Sequence, residues 1–173
     1  MTFTRLGRGD LLAMVAALAL LLVMATDWYS TKLGENARAD QGKVLPQLNR
    51  SDDPKVSTQL GEFADSQEKN AWQADALVDR VILMALLAAA ALALVAAWGR
   101  AAGRNLLGTR SPSALASLFG LVACMLLVYR ILQPPGSNAI AVVKIGAPLG
   151  LLCVGLLTIG ARVAARGEAA ARV

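Results

Sequence analysis

Four charged side chains stand at the edges of long apolar runs or inside them. Asp79 and Arg80 precede the run from Val81, Arg130 closes the run from Ala114, and Lys144 lies within Ala139–Ala161. In apolar surroundings, a carboxylate near a guanidinium or an ammonium can tie helices together as an ion pair or carry a proton or ion. Other reactive residue types are missing or badly spaced. The chain has no histidine, which removes His-held haem, the usual zinc sites and a histidine general base. Cys124 and Cys153 stand apart inside apolar runs with no CxxC pair, as inert buried thiols do. Phosphate-cradling glycine motifs and a Ser-His pairing are absent, and Asp52, Asp53 and Asp65 lack the spacing of a calcium loop. The expectation is a non-enzyme with no cofactor and no metal.

The elements that position these charges follow from composition. Of the residues, 56% are hydrophobic but only 5% aromatic. The apolar mass is mostly Leu, Ala and Val in long blocks, which reads as an all-α membrane protein, a bundle of four transmembrane helices. The spans are expected at 11–28, 77–98, 113–132 and 139–162, with residues 1–173 forming one domain and 29–75 a polar loop. The first run, Leu11 to Thr26, follows a basic start and would also suit a signal peptide, with Val23-Met24-Ala25 as a cleavage site. Trp28 and Tyr29, placed as an interfacial aromatic anchor, favour an uncleaved first helix. Trp72 is assigned the same interfacial role near the second span.

Within the loop, Thr31 to Asp53 reads as irregular because it is polar and holds Gly and Pro. Asp53-Pro54 resembles a helix cap with proline at the first position, opening a helix from about Pro54 to Glu68. Its weak apolar stripe is expected to lie on the helix tops. Asn49-Arg50-Ser51 matches a glycosylation sequon, a common coincidence. Pro112 opens the third span in the same way as Pro54. Pro134, Pro135 and Gly136 cannot continue a helix, so the chain turns back there and spans three and four form a hairpin. Pro148 is expected to kink the fourth span, helped by Gly146.

The net charge of +5 is divided among segments and forms no single patch for nucleic acid. The N-terminus, the 99–111 loop and the tail hold eight Arg against Asp10 and Glu168, whereas the segment 27–75 holds six Lys/Arg and nine Asp/Glu. The excess of Lys and Arg marks the cytoplasmic side. Both termini are therefore expected inside, with the 29–75 loop and the Pro-Pro turn outside a bacterial inner membrane. A rise of about 1.5 Å per residue then puts Asp79, Arg130 and Lys144 about 25–29 Å above the inner boundary of a core about 30 Å thick. They share one layer with Arg80 and Tyr129. Two readings stand: the cations snorkel independently to water, or Asp79 pairs with Arg130 inside the bundle. Gly146-x-x-x-Gly150 allows close helix approach, either as a homodimer seam or as packing within the bundle.

The order of these features resembles a group of small, uncharacterised four-span membrane proteins of high-GC Gram-positive bacteria. The likeness is carried by Asp27-Trp28-Tyr29, Ala71-Trp72-Gln73, Asp79 and the turn from Tyr129 to Pro135. It implies the four-span topology and no activity, since none is established for the group. The loop here is longer and more charged than that group's. A claudin-type protein would need paired cysteines in the first loop, and this loop has none.

On these grounds the chain is expected to be an accessory, assembly or scaffold subunit of a membrane complex. Its partners would be the lipid bilayer and other subunits or a second copy of itself. The alternative is an oligomeric small transporter or channel component, which should show polar residues spaced through the membrane depth.

Overall fold

The computed structural model describes residues 6–48, 54–73, 76–103, 111–134 and 141–170. The sequon, Asp52, Asp53, Pro135 and Gly136 lie outside the described residues. Six helices and a small sheet follow one another as α1 (Arg8–Val23), β1 (Asp27–Thr31), α2 (Lys32–Leu48), α3 (Pro54–Ser66), β2 (Lys69–Asn70), α4 (Leu77–Ala101), α5 (Pro112–Leu132), β3 (Ala141–Val143) and α6 (Gly146–Ala170).

Among the described residues, α4, α5 and α6 are long and apolar enough to cross a membrane. Helix α1 is not. Its 16 residues span about 24 Å at helical rise, short of a core about 30 Å thick. The first expected span, 11–28, is thus corrected: the helix stops at Val23 and the chain re-enters as strand at Asp27. The cause is local. Thr26 Oγ1 donates to the Val23 carbonyl at 2.7 Å and Trp28 Nε1 donates to the same oxygen at 2.9 Å, so side chains occupy a carbonyl that would otherwise extend the helix.

Helix α1 packs against α6 and α4, and α5 packs against α4 and α6. The α1–α6 seam is built from small residues. A Cβ on Gly9 would meet the Ala164 nitrogen at 2.7 Å, and one on Gly160 would meet the Ala13 nitrogen at 2.7 Å. The two backbones touch where both glycines sit, and Ala13, Ala16, Ala17 and Ala161 are buried along the same line. Small residues of this kind bring apolar helices close enough for dispersion contacts to add up.

The described chain is mostly helical, as expected, and adds a small sheet that was not expected, whose order is β2-β1-β3 with both pairings antiparallel. Tyr29 faces Lys69 on one side and Val143 on the other. The start of the fourth span is corrected by the same element, because Ala141–Val143 is strand and the helix begins only at Gly146. Pro148 consequently falls in the first turn of α6, where its missing N–H has no intrahelical partner to lose, and no kink follows from it. Residues 32–48, expected as loop, form helix α2. The Thr31 hydroxyl accepts the Gly34 N–H at 3.1 Å, and Arg38 ties α2 to α3 through Asp65 at 2.7 Å and Glu68 at 3.0 Å. Tertiary pairing overrides the weak local propensity of Gly34, Gly42 and Pro46. Helix α3 begins at Pro54 as its sequence predicts, but its Phe63 is exposed.

Candidate functional site

Charged side chains gather at both ends of the long helices. At the sheet end, Asp79 in the first turn of α4 meets Arg130 in the last turn of α5. Arg130 Nη2 donates to Asp79 Oδ2 at 2.6 Å and Nε lies 2.5 Å from Oδ1. This two-point contact brings together the pair whose equal depth is legible from helix rise, and it argues against independent snorkelling for these two. Each also suits its helix terminus: an acid at the N-terminal end of α4 and a base at the C-terminal end of α5. Arg80 and Tyr129 are exposed.

Lys144 stands ahead of α6, not within it. Its Nζ pairs with Glu35 of α2 and lies 3.3 Å from Glu68 beyond α3. The hydrogen bond to Glu35 raises the Lys144 pKa above its ordinary value, against the opposing effect of burial. Glu68 also accepts from Arg38, so one carboxylate holds α2 and the entrance of α6 together.

Trp28 and Tyr29 do not form an interfacial anchor. Trp28 is 2% exposed and fills the space left by two glycines: a Cβ on Gly150 would lie 2.6 Å from its Cζ2, and one on Gly146 2.6 Å from its Cδ1. The Gly146-x-x-x-Gly150 pattern is therefore packing within the chain, with a tryptophan as the object packed. Trp72, 45% exposed, is free to take the interfacial role.

Tyr29 belongs to the same wall. Its hydroxyl is shielded from solvent and has no hydrogen-bond partner among the described residues, an arrangement that costs about 1–3 kcal/mol. Burial pushes the phenol pKa up to about 12, with Arg130 pulling it down and Asp79 pushing it up. The group therefore keeps its proton at neutral pH and can donate. Beneath it, between the sheet and the ends of α4 and α5, lies a cavity of about 130 Å³ bordered by Trp28, Tyr29, Asp79 and Arg130, with a floor of Ile82, Leu83, Leu86 and Leu127.

The far end holds a cluster that sequence reasoning missed. Arg100 near the end of α4 pairs with Asp10 of α1 and Glu168 of α6, and donates to Ser113 of α5. Ser113 also donates to Glu168 at 2.9 Å, and Ser111 reaches the other Glu168 oxygen. Asp10, only 3% exposed, accepts the Gly7 N–H at 3.1 Å, and Ser111 caps α5 by accepting the Ala114 N–H at 3.2 Å. One arginine thus touches side chains from three other helices. A signal did exist: Asp10 and Glu168 are the two acids in otherwise Arg-rich segments.

Between these two layers, no charged side chain falls in Leu11–Val23, Val81–Gly99, Ala114–Tyr129 or Ile145–Ala161. Thr158, a hydroxyl midway along α6, is engaged with the Val154 carbonyl at 2.7 Å. Among the described residues no group of His, Cys, Asp and Glu could hold a metal ion. No family model matches the chain, and no curated protein or solved structure matches it either.

Proposed function

We propose that the chain is a multi-pass protein of a bacterial inner membrane that acts as a non-enzymatic accessory, assembly or scaffold subunit. In this reading α4, α5 and α6 cross the membrane, and α1, though only 16 residues long, crosses beside α6 and α4 as the fourth helix of the bundle. Both termini and the Arg100 cluster face the cytoplasm, and residues 27–75 with the sheet face outward. The Arg distribution along the sequence supports that orientation. Its partners are the bilayer and other membrane subunits or a second copy. The likeness to small four-span proteins of high-GC Gram-positive bacteria fits the same topology.

The observation that carries the proposal is the distribution of charge. Ionised side chains pair with one another at the two ends, and the helix interiors between them are apolar. Ion pairs of this kind fix register and helix order even where they add little net stability. A translocation route needs polar groups repeated through the depth, and these helices place theirs in two separated layers.

The test is purification from the native membrane in a mild detergent, with cross-linking and mass spectrometry of what remains attached. A stoichiometric protein partner, or a defined self-assembly, is the expected result. The proposal is overturned if the purified chain, reconstituted alone in vesicles, moves ions or solutes and loses that flux with Asp79→Asn.

A further inference from the structure

The C-terminal half of α6 combines two properties on one face. Leu152, Leu156, Ile159 and Val163 recur at spacings of three and four residues and are exposed, which makes an aliphatic stripe along the helix. Arg162 and Arg166 continue that face toward the C-terminus and are exposed too. Four residues apart, their Cβ atoms lie about 6 Å from each other. From Leu152 to Arg162 the helix rises about 15 Å, half of a hydrocarbon core about 30 Å thick. Helix α1 adds a third cation. A Cβ on Gly9 would lie 3.1 Å from the Val163 Cβ, and the exposed Arg8 is the adjoining residue. None of these three arginines has an ion pair or hydrogen bond among the described residues. The acids nearest to them in sequence, Asp10 and Glu168, are both engaged by Arg100. The Arg100 cluster thus takes up the negative charge of this layer and leaves its rim positive.

We propose that this face binds an anionic phospholipid of the leaflet at the Arg100 end. An acyl chain lies along Leu152, Leu156 and Ile159, and the phosphodiester sits at Arg162 and Arg166 with Arg8 beside them. Length and charge together identify the occupant. The stripe matches the depth of one leaflet, and the arginines begin where a lipid phosphate begins. Guanidinium forks suit phosphate oxygens. A zwitterionic lipid cancels its phosphate with its own ammonium, so unmatched arginines select a lipid of net negative charge. A second copy of the chain would bring the same cations to this face and be repelled. The inference rests on the membrane reading above in taking α6 to cross a bilayer, but the side on which the arginines emerge does not enter it.

The experiment follows thermal unfolding of the full chain in a neutral detergent. Three additions are compared: phosphatidylglycerol, phosphatidylcholine with the same acyl chains, and glycerol phosphate as a headgroup without tails. Phosphatidylglycerol is expected to raise the unfolding temperature saturably by about 2–4 °C. That rise should shrink in about 1 M salt, where screening acts within about 3 Å. The other two additions are expected to give no rise at equal concentration. Arg162→Gln should raise the lipid concentration needed about tenfold, and Arg8→Gln, Arg162→Gln and Arg166→Gln together should abolish the response. Lys32→Gln, which removes one exposed charge from the sheet end, should leave it unaltered. The lipid-free melt of each variant shows that it is folded, and the single Arg162→Gln keeps the test decisive should the triple variant fold poorly. An equal rise with phosphatidylcholine or with glycerol phosphate overturns the inference. A phosphatidylglycerol response that survives the arginine substitutions, or is lost equally with Lys32→Gln, does so too. Alkaline carbonate washing of native membranes judges the membrane reading separately. A chain that washes off fails that reading, whereas one that stays yet ignores phosphatidylglycerol fails this inference alone.

Discussion

Asp79 and Arg130 stand far apart in sequence, yet they meet through two contacts. Removing either partner should leave the other poorly compensated. Asp79→Asn and Arg130→Gln are each expected to lower the unfolding temperature in detergent, and the double substitution to cost less than the two singles added. A coupling of about 0.5–1.5 kcal/mol suits polar pairs in membrane proteins, and strict additivity would dismiss the pair as a stabilising unit. Lys144 gives a pH signature. Its pKa is raised in the folded chain, so its contribution is complete below the unfolded value of about 10.4 and fades as pH climbs through the folded value. Tyr29 adds a loss of the same sign, because the unfolded phenol ionises from its ordinary value of 10.0 while the folded one waits until about 12. Stability should therefore drop in alkali, and Lys144→Met with Tyr29→Phe should flatten that drop in a pH series of thermal melts. The shared depth of Asp79 and Arg130 was legible beforehand because helix rise alone sets it, but depth could not decide between pairing and independent snorkelling. Asp10 and Glu168 were not, since acids near chain ends look like solvated residues until a third group, Arg100, draws them together.

At the scale of elements, what could be read in advance was periodicity and punctuation. Long apolar runs gave α4 and α5 nearly whole, and prolines gave the starts of α3 and α5. The sheet was hidden for a physical reason: β2 has two residues, and Val142 and Val143 suit a strand as well as an apolar helix. Helix α2 was hidden because Asp65 and Glu68, which pair with its Arg38, decide it from outside the segment. Backbone contact between α1 and α6 rests on Gly9 and Gly160, so size is the variable to change. Gly160→Leu forces the helices apart, whereas Gly155→Leu adds its side chain where a Cβ meets nothing within 4 Å. The first is expected to destabilise by about 1–3 kcal/mol, the range typical of overpacking, and the second to be near neutral in the same detergent melt. Equal effects would mean that the seam tolerates separation.

For the molecule as a whole, the proposed orientation makes opposite demands on its two layers. Single-cysteine probes in a Cys124→Ala, Cys153→Ala background should label from outside the cell at the exposed Leu33 and at Asn70, and at Gly103 and Gly167 only after permeabilisation. External labelling at Gly103 would invert the topology. Helix α1 deserves its own probe, because its 16 residues are short for a crossing. A cysteine at Gly7 reached only from inside, together with one at Thr31 reached from outside, would establish that it crosses.

The seam between α1 and α6 also sets a timetable. A ribosome delivers α1 first and α6 last, so the stripe of Gly9, Ala13, Ala16 and Ala17 waits for its main surface until the rest of the chain has been made. Asp10 shares the delay, since Glu168 completes its cluster around Arg100 only once α6 has emerged. During that interval α4 is the nearest substitute, and final closure is an event of the last helix. A chain cut short before α6 would therefore expose its earliest segment, and quality-control proteases would meet a loose α1 instead of a docked one.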